Sequence, residues 1–349
     1  MLGQSSGIMS RTVPGAADVR QDVRADVPAR AINQFTSYRA SCKRDTMLSD
    51  LFNSDLMVFQ RGCRPQDLHH MRQAQARGIR CIYDIDDDMF NVPQHVKDAH
   101  AYFSQPETKQ LIVDMLLAAD LVTVSNEVML EVVQRYTKRP ARIVQNCIDM
   151  GHVRAVSAGV KKAGDGTVNI AWHGSMTHVG DISIVQSPLV EILRRHKHVN
   201  LHLYGHWTDD VWGWALKEFG ARVKYSGWID PNMLYAELAR HDIGLCPLEN
   251  TPFNRAKSWI KWAEYGSVEL PAVVSPLQPY TCVEHGEDAI IAEGNSEASW
   301  TDALDALVKD ENLRKRIGRG ACLKVIRKYD NGIVSKEWSR VFDEALAMT

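Results

Sequence analysis

The chain has 349 residues, 45% of them hydrophobic and 24% charged, with a formal net charge of -2. That length suggests two domains of ~150 residues, with enough apolar content for two cores. The near-neutral balance excludes a bulk pull towards nucleic acid or an anionic membrane, and no apolar run approaches the ~20 residues that cross a bilayer.

Residues 1–30 are small, polar and charged, lack the apolar stretch of a secretory signal, and read as a poorly ordered tail. An alternation of elements follows. "LMVFQRG" (56–62) reads as a strand, "PQDLHHMRQAQARG" (65–78) as a helix opened by Pro65 and closed by Gly78, and "RCIYDI" (80–85) as the next strand. "PETKQLIVDMLLAAD" (106–120) is a helix, "LVTVS" (121–125) a strand, "NEVMLEVVQRYTKR" (126–139) a helix and "ARIVQN" (141–146) a strand. Such β-α-β order implies a parallel sheet covered by helices.

"AGVKKAGDGT" (158–167) breaks the rhythm, which places a domain boundary near residue 160. Strands resume with "VNIAWHG" (168–174), "VNLHLYG" (199–205), "RVKYSGW" (222–228), "IGLCPLE" (243–249), "PAVVS" (271–275) and "AIIAE" (289–293). "DDVWGWALKEFG", "PNMLYAELARHD" and "AKSWIKWAEYGS" read as helices between them. The expectation is α/β: a domain over 31–160, a second over 161–330, and a helix over 331–349. The apolar stripe of that last helix, Val334, Trp338, Val341, Phe342 and Leu346, suits packing across the boundary. Trp172, Trp207, Trp228 and Trp259 read as core residues before ligand-stacking platforms. The seven cysteines are odd in number and contain no CxxC pair, which argues against a disulfide framework or a cysteine zinc site and fits a reducing, cytoplasmic compartment.

Ligands of such sheets bind beyond the carboxyl ends of the strands, so the residues after each strand matter most. After "RCIY" come Asp84, Asp86, Asp87 and Asp88. Like charges this close need a cation, a proton or hydrogen-bond donors to offset them. Asp84-Ile85-Asp86 has the form of a DxD metal motif, and carboxylates do suit Mg²⁺ or Mn²⁺. An EF-hand does not fit, because Met89 stands where glycine is required and His95 where glutamate is. Asp86 and Asp87 could instead bind the hydroxyls of a ligand, or the aspartates could form an Asx turn and cap a helix. The basic residues Arg61, Arg64, Arg72, Arg77 and Arg80 nearby suit either a solvated face or an anionic ligand. In the second half, Lys257 and Lys261 are four apart, which predicts one shared helix face, with Glu264 on a neighbouring part of it.

"FNRAKSWIKWAEYGSVELPAVVSPLQPY" resembles the donor-binding segment of GT-B glycosyltransferases of the family-4-like group (glycosyl transferases group 1): a loop, a helix ending in Glu, a Pro-led strand and a phosphate-facing loop. "AWHGSMTHVGD" (171–181) resembles the first strand and loop of the same domain, and "VFQRG", "YDIDDDMF", "ADLVTVSN" and "VQNCID" resemble parts of the acceptor-side domain. The resemblance spans roughly residues 50–345 and implies two Rossmann-like domains facing a cleft. It implies a hexosyltransferase-like enzyme that moves a sugar from a nucleotide-sugar donor to a saccharide acceptor hydroxyl, with retained anomeric configuration and no cofactor or required metal. Glu264 would bind the ribose hydroxyls, and Lys257 and Lys261 the diphosphate. Gly174, Ser175, Glu249, Asn254, Tyr280 and Thr281 would complete the donor site, and Asp86, Asp87 and His173 would serve the transfer.

The sequence also departs from the family pattern. Many members carry a second Glu eight residues before the one matched by Glu264, where this chain has Ala256. Many carry an Arg and a Lys in the loop that here reads "GSMTHVGD", with His178 and Asp181 instead. The usual first strand of the acceptor domain is missing or degraded before residue 50. Other functions therefore stay open: a glycosyltransferase acting on a hydroxylated DNA base, a non-catalytic nucleotide-sugar or glycan binder, and a GT-B epimerase.

Overall fold

A computed structural model describes residues 6–11, 24–43, 50, 53–175, 178–205 and 216–348. The chain divides into two compact units. The first comprises Met1–Cys147, Ala256–Ser258 and Lys328–Thr349; the second comprises Ile148–Arg255 and Trp259–Arg327. The division thus falls at residue 147, ahead of the "AGVKKAGDGT" linker, because helix Met150–Ser157 joins the second unit.

The first unit is built on a six-stranded sheet of β1 (Ser6–Arg11), β2 (Arg39–Lys43), β3 (Leu56–Gln60), β4 (Arg80–Ile85), β5 (Leu121–Val124) and β6 (Ala141–Ile143). Every pairing is parallel and the order is β2-β1-β3-β4-β5-β6. β3 and β5 are buried along their whole length, as expected of strands covered on both faces.

The expected disordered tail is corrected here. β1 lies between β2 and β3, and helix Asp26–Phe35 follows within the same region, so the first strand of this domain is present. "SGIMSR" is too short and too polar to announce a strand, and pairing on both sides supplies what its composition does not. The last helix, Asn331–Ala347, sends Val334, Trp338, Val341, Phe342 and Ala345 into a core shared with Ile32, Val58 and Leu121 of the first unit.

The second unit has β7 (Val168–Gly174), β8 (Val199–Gly205), β9 (Val223–Ser226), β10 (Ile243–Cys246), β11 (Ala272–Val274) and β12 (Ile290–Ile291). They pair in parallel in the order β12-β11-β10-β7-β8-β9. Ile170, Trp172, Leu201, Leu203, Leu245 and Val273 form its core with Leu189, Ile192, Trp300 and Leu304 from the helices. Of the helix read over "DDVWGWALKEFG", the first part lies outside the described residues, and the rest is a 3₁₀ segment, Lys217–Arg222.

Ala256–Ser258 interrupt the helix expected over "AKSWIKWAEYGS". Ala256 is fully buried in the core of the first unit, and the Asn126 side-chain amide donates to the carbonyls of Ala256 (2.9 Å) and Lys257 (3.2 Å). Helix Pro252–Arg255 ends before this segment and helix Ile260–Ser267 begins after it.

Candidate functional site

In the second unit the candidate residues gather beyond the carboxyl end of β7. The strand ends in His173 and Gly174, and Gly174 lies in register with Gly205 of β8. Both glycines are sterically required: a Cβ on Gly174 would come within 2.5 Å of the Trp172 ring, and one on Gly205, at φ +127°, would strike the Gly174 carbonyl.

Glu264, on helix Ile260–Ser267, reaches back to this strand end, and its Oε2 lies 3.3 Å from His173 Nε2. Burial pushes the Glu264 carboxyl up to about 7, against the opposing pull of Lys261. Burial, aided by the charges of Lys261 and His178, holds His173 well below the ordinary histidine range, so its ring is neutral. Lys261 Nζ donates to the His173 carbonyl at 2.8 Å and stands 4.7 Å over the Trp172 ring, a cation–π contact. One strand end thus gathers a carboxylate poised to ionise near neutrality, a neutral imidazole and a fixed ammonium. Such an arrangement can accept hydrogen bonds from hydroxyls on one side and stabilise an anion on the other.

The second focus is Asp181, only 2% exposed. Its Oδ1 accepts from the Glu249 backbone N–H (2.8 Å) and the Asn254 side-chain amide (2.6 Å), and its Oδ2 lies 2.7 Å from His178 Nδ1. Asn254 also donates to the Glu249 carbonyl at 3.0 Å. Glu249, on the loop after β10, and Asn254, on helix Pro252–Arg255, both expected at the donor site, are therefore held by a carboxylate from helix Val179–Ser183, which follows β7. Asp181 and His178 entered the sequence reading only as substitutes for an absent Arg and Lys. The His-x-x-Asp spacing at a helix start was the available signal.

The other expected donor residues are less close to this group. Lys257 does not share a helix face with Lys261: it lies in the interrupting segment and groups with the first unit, so Lys261 is the lysine beside Glu264. Gln278–Tyr280 forms a 3₁₀ turn in which the Tyr280 amide donates to Leu277 and the Thr281 amide to Gln278, spending both groups inside the turn. The Ser175 carbonyl accepts from the His178 amide. Trp172 and Trp259 are core residues as expected, Trp228 is 67% exposed, and Trp207 lies outside the described residues. A cavity of about 1050 Å³ opens at the opposite, amino end of this sheet, beside Val168, His198, Asp242 and Pro271, away from these residues.

The acidic turn of the first unit is neutralised by arginines. Asp84 is fully buried and accepts from Arg24 Nε (2.9 and 3.1 Å), from an Arg24 terminal nitrogen and from Thr123 Oγ1 (2.6 Å). Arg61, at φ +51°, donates to Asp86 and Asp87 together. Asp88 caps the following turn by accepting from the Phe90 amide (3.1 Å) and the Asn91 side chain (2.7 Å). Among the described residues, no three His, Cys, Asp or Glu side chains gather as a metal site would require.

The paired six-stranded parallel sheets, with helices on their faces, define the GT-B fold. Residues 168–310, which contain His173, His178, Asp181, Lys261 and Glu264, match the family described as glycosyl transferases group 1. Sucrose-phosphate synthase from Thermosynechococcus elongatus superimposes with a TM-score of 0.69 at 14% identity, over 99% of this chain and 100% of that one. HepE from Anabaena, solved in complex with UDP and glucose, gives 0.68 at 11% identity, over 97% of this chain and 99% of its own. A Listeria monocytogenes protein described as a putative UDP-N-acetylglucosamine 2-epimerase gives 0.60 at 11%, covering 98% and 97%. No curated protein matches the sequence.

Proposed function

We propose that the chain is a glycosyltransferase that moves a sugar from a nucleotide-sugar donor to an acceptor hydroxyl, with a saccharide as acceptor and the anomeric configuration retained. The observation that carries this reading is the Glu264–His173–Lys261 group at the end of β7, within the segment that matches group 1 glycosyltransferases. Glu264 accepts from the vicinal hydroxyls of the donor ribose, as acidic residues do in dinucleotide sites. Lys261 lies beside the diphosphate, where negative charge grows as the sugar departs. His173, neutral and at the strand end, contacts the transferring sugar. Asp86 and Asp87 hold acceptor hydroxyls, with Arg61 fixing both carboxylates and offsetting their charge. No metal takes part in this scheme. Seven free cysteines support a cytoplasmic setting.

A thermal-shift panel of nucleotide sugars, followed by nucleotide release with and without oligosaccharide acceptors, tests the reading. Glu264→Ala should lower donor affinity about ten- to a hundredfold, the loss of one charged hydrogen bond, while the fold persists. Unchanged affinity by calorimetry would refute the ribose assignment. Ala256, buried where many family members carry a glutamate, favours a second reading as a nucleotide-sugar binder. In that case donors would stabilise the protein without any acceptor-dependent release.

A further inference from the structure

A second group of convergent side chains lies within the second unit. On β8, Leu201 and Leu203 enter the core, so strand alternation turns His202 and Tyr204 to the other face of the sheet. His241, in the turn between helix Leu234–Leu238 and β10, meets both of them. His241 Nε2 lies 3.1 Å from His202 Nδ1 and 3.3 Å from the Tyr204 hydroxyl, and that hydroxyl lies 3.5 Å from His202 Nδ1. His241 and Tyr204 are buried, and His202 is half-buried.

A triangle of lone-pair atoms with nearly equal edges is what a metal ion collects. A tetrahedral ion with bonds of ~2.0–2.1 Å holds its ligand atoms about 3.3–3.4 Å apart, and the three edges here straddle that spacing. The centroids of the two imidazoles stand 4.8 Å apart against 3.1 Å for the nitrogens, so both rings turn a nitrogen into the shared space. The Glu237 carbonyl accepts from His241 Nδ1 at 2.9 Å. That bond keeps the ring proton on Nδ1 and leaves Nε2 bare towards the cluster, the support that metal-bound histidines characteristically have. Burial, then the neighbouring imidazole, holds His241 down at about 4, and burial also lowers His202, so both rings are in the neutral form that ligates. His202 need only carry its proton on Nε2 for Nδ1 to be bare as well. The charges nearby are the Glu237–Arg240 pair and Lys224, in register with His202 on β9 and exposed, where water and salt screen it.

We infer that His202, His241 and Tyr204 form a binding site for one divalent transition ion of the zinc class, with water in the fourth position, as in other three-ligand zinc sites. Its third ligand is a phenol, so it lies outside the His, Cys, Asp and Glu clusters sought above. β8 and β10 are not neighbours, because β7 runs between them. The ion therefore staples β8 to the turn leading into β10, across the strand that carries His173. The site shares no residue with the Glu264 group and holds whether or not the chain transfers sugars.

Chelator-treated, dialysed full-length protein, titrated with zinc chloride by calorimetry and followed in thermal melts, tests the site. Magnesium chloride is the control, since Mg²⁺ takes oxygen ligands. Wild type should bind one equivalent of zinc, melt at a higher temperature with it, and ignore magnesium. Tyr204→Phe keeps the ring and removes only the hydroxyl, and His202→Gln changes a half-buried position. Each should lose the zinc-dependent rise in Tm. Cobalt in place of zinc should give wild type the intense visible bands of a tetrahedral site, absent from Tyr204→Phe. Tyr204→Phe carries the test alone if His202→Gln does not fold. Wild type without zinc-dependent stabilisation would overturn the inference. So would a zinc response kept in either variant, which would place the metal on other histidines, such as His196 and His198.

Discussion

In the proposed donor site, Glu264 serves a ligand at the expense of the fold. Its carboxyl rises from 4.5 to about 7 because burial disfavours the charge. Below pH 4.5 both folded and unfolded chains hold the proton, and the burial costs nothing. As pH rises towards 7, the unfolded state ionises first, so stability is lost across that window and the loss is complete above it. The ceiling is about 3 kcal/mol. Glu264→Gln should therefore flatten stability between pH 4.5 and 7 and leave the protein more stable than wild type at pH 8, while binding donor more weakly. Thermal melts across that range check it; a wild-type slope that persists in the variant would count against the assignment. The place of Glu264 near a strand end was legible in the sequence because its helix, the turn after it and the Pro-led strand form one contiguous pattern. Asp181 was not, since the partners that give it meaning, Glu249 and Asn254, lie 68 and 73 positions downstream.

The elements were legible wherever burial on both faces writes a continuous apolar run. β7 and β8 fall on the expected residues, 168–174 and 199–205. β1 escaped because its neighbours in the sheet, not its own composition, make it a strand. Helix Ile260–Ser267 starts late because Ala256 is claimed by another core, which no local periodicity records. The acidic turn after β4 was read for hydroxyls, metals or caps. Its partner Arg24, 60 residues away, lies in the stretch first taken for a tail. Arg24 and Asp84 are 1% and 0% exposed, and the guanidinium also covers the Trp338 ring at 5.5 Å. Removing one partner of such a pair strands the other charge. Arg24→Ala should cost about 3–5 kcal/mol in urea denaturation, whereas the double change Arg24→Met with Asp84→Leu should recover most of it. A double variant no better than the single one would mean that the pair does more than neutralise itself.

At the scale of the whole molecule, the two sheets and their order along the chain were readable from alternation alone, but the ownership of segments was not. The first unit draws its core from both chain ends, with Ile32 and Tyr38 meeting Trp338 and Phe342. A chain stopped at residue 330 lacks the helix carrying Trp338, Val341 and Phe342, and its first unit should expose its core and become protease-sensitive, while residues 148–327 keep a protected fragment. Synthesis runs from the amino terminus, and domains that are contiguous in sequence can fold as they emerge from the ribosome. Here the earlier-made half must wait for the last helix, and the later-made half is complete before it. The order of folding should thus reverse the order of translation, with the first 147 residues exposed to chaperones until helix Asn331–Ala347 has emerged. Protease digestion of ribosome-stalled chains of increasing length reads this directly. Protection should reach the second unit once its final helix, Glu311–Lys328, has cleared the exit tunnel, and the first unit only once helix Asn331–Ala347 has cleared it as well. Early protection of the first unit would show that its core closes without the terminal helix.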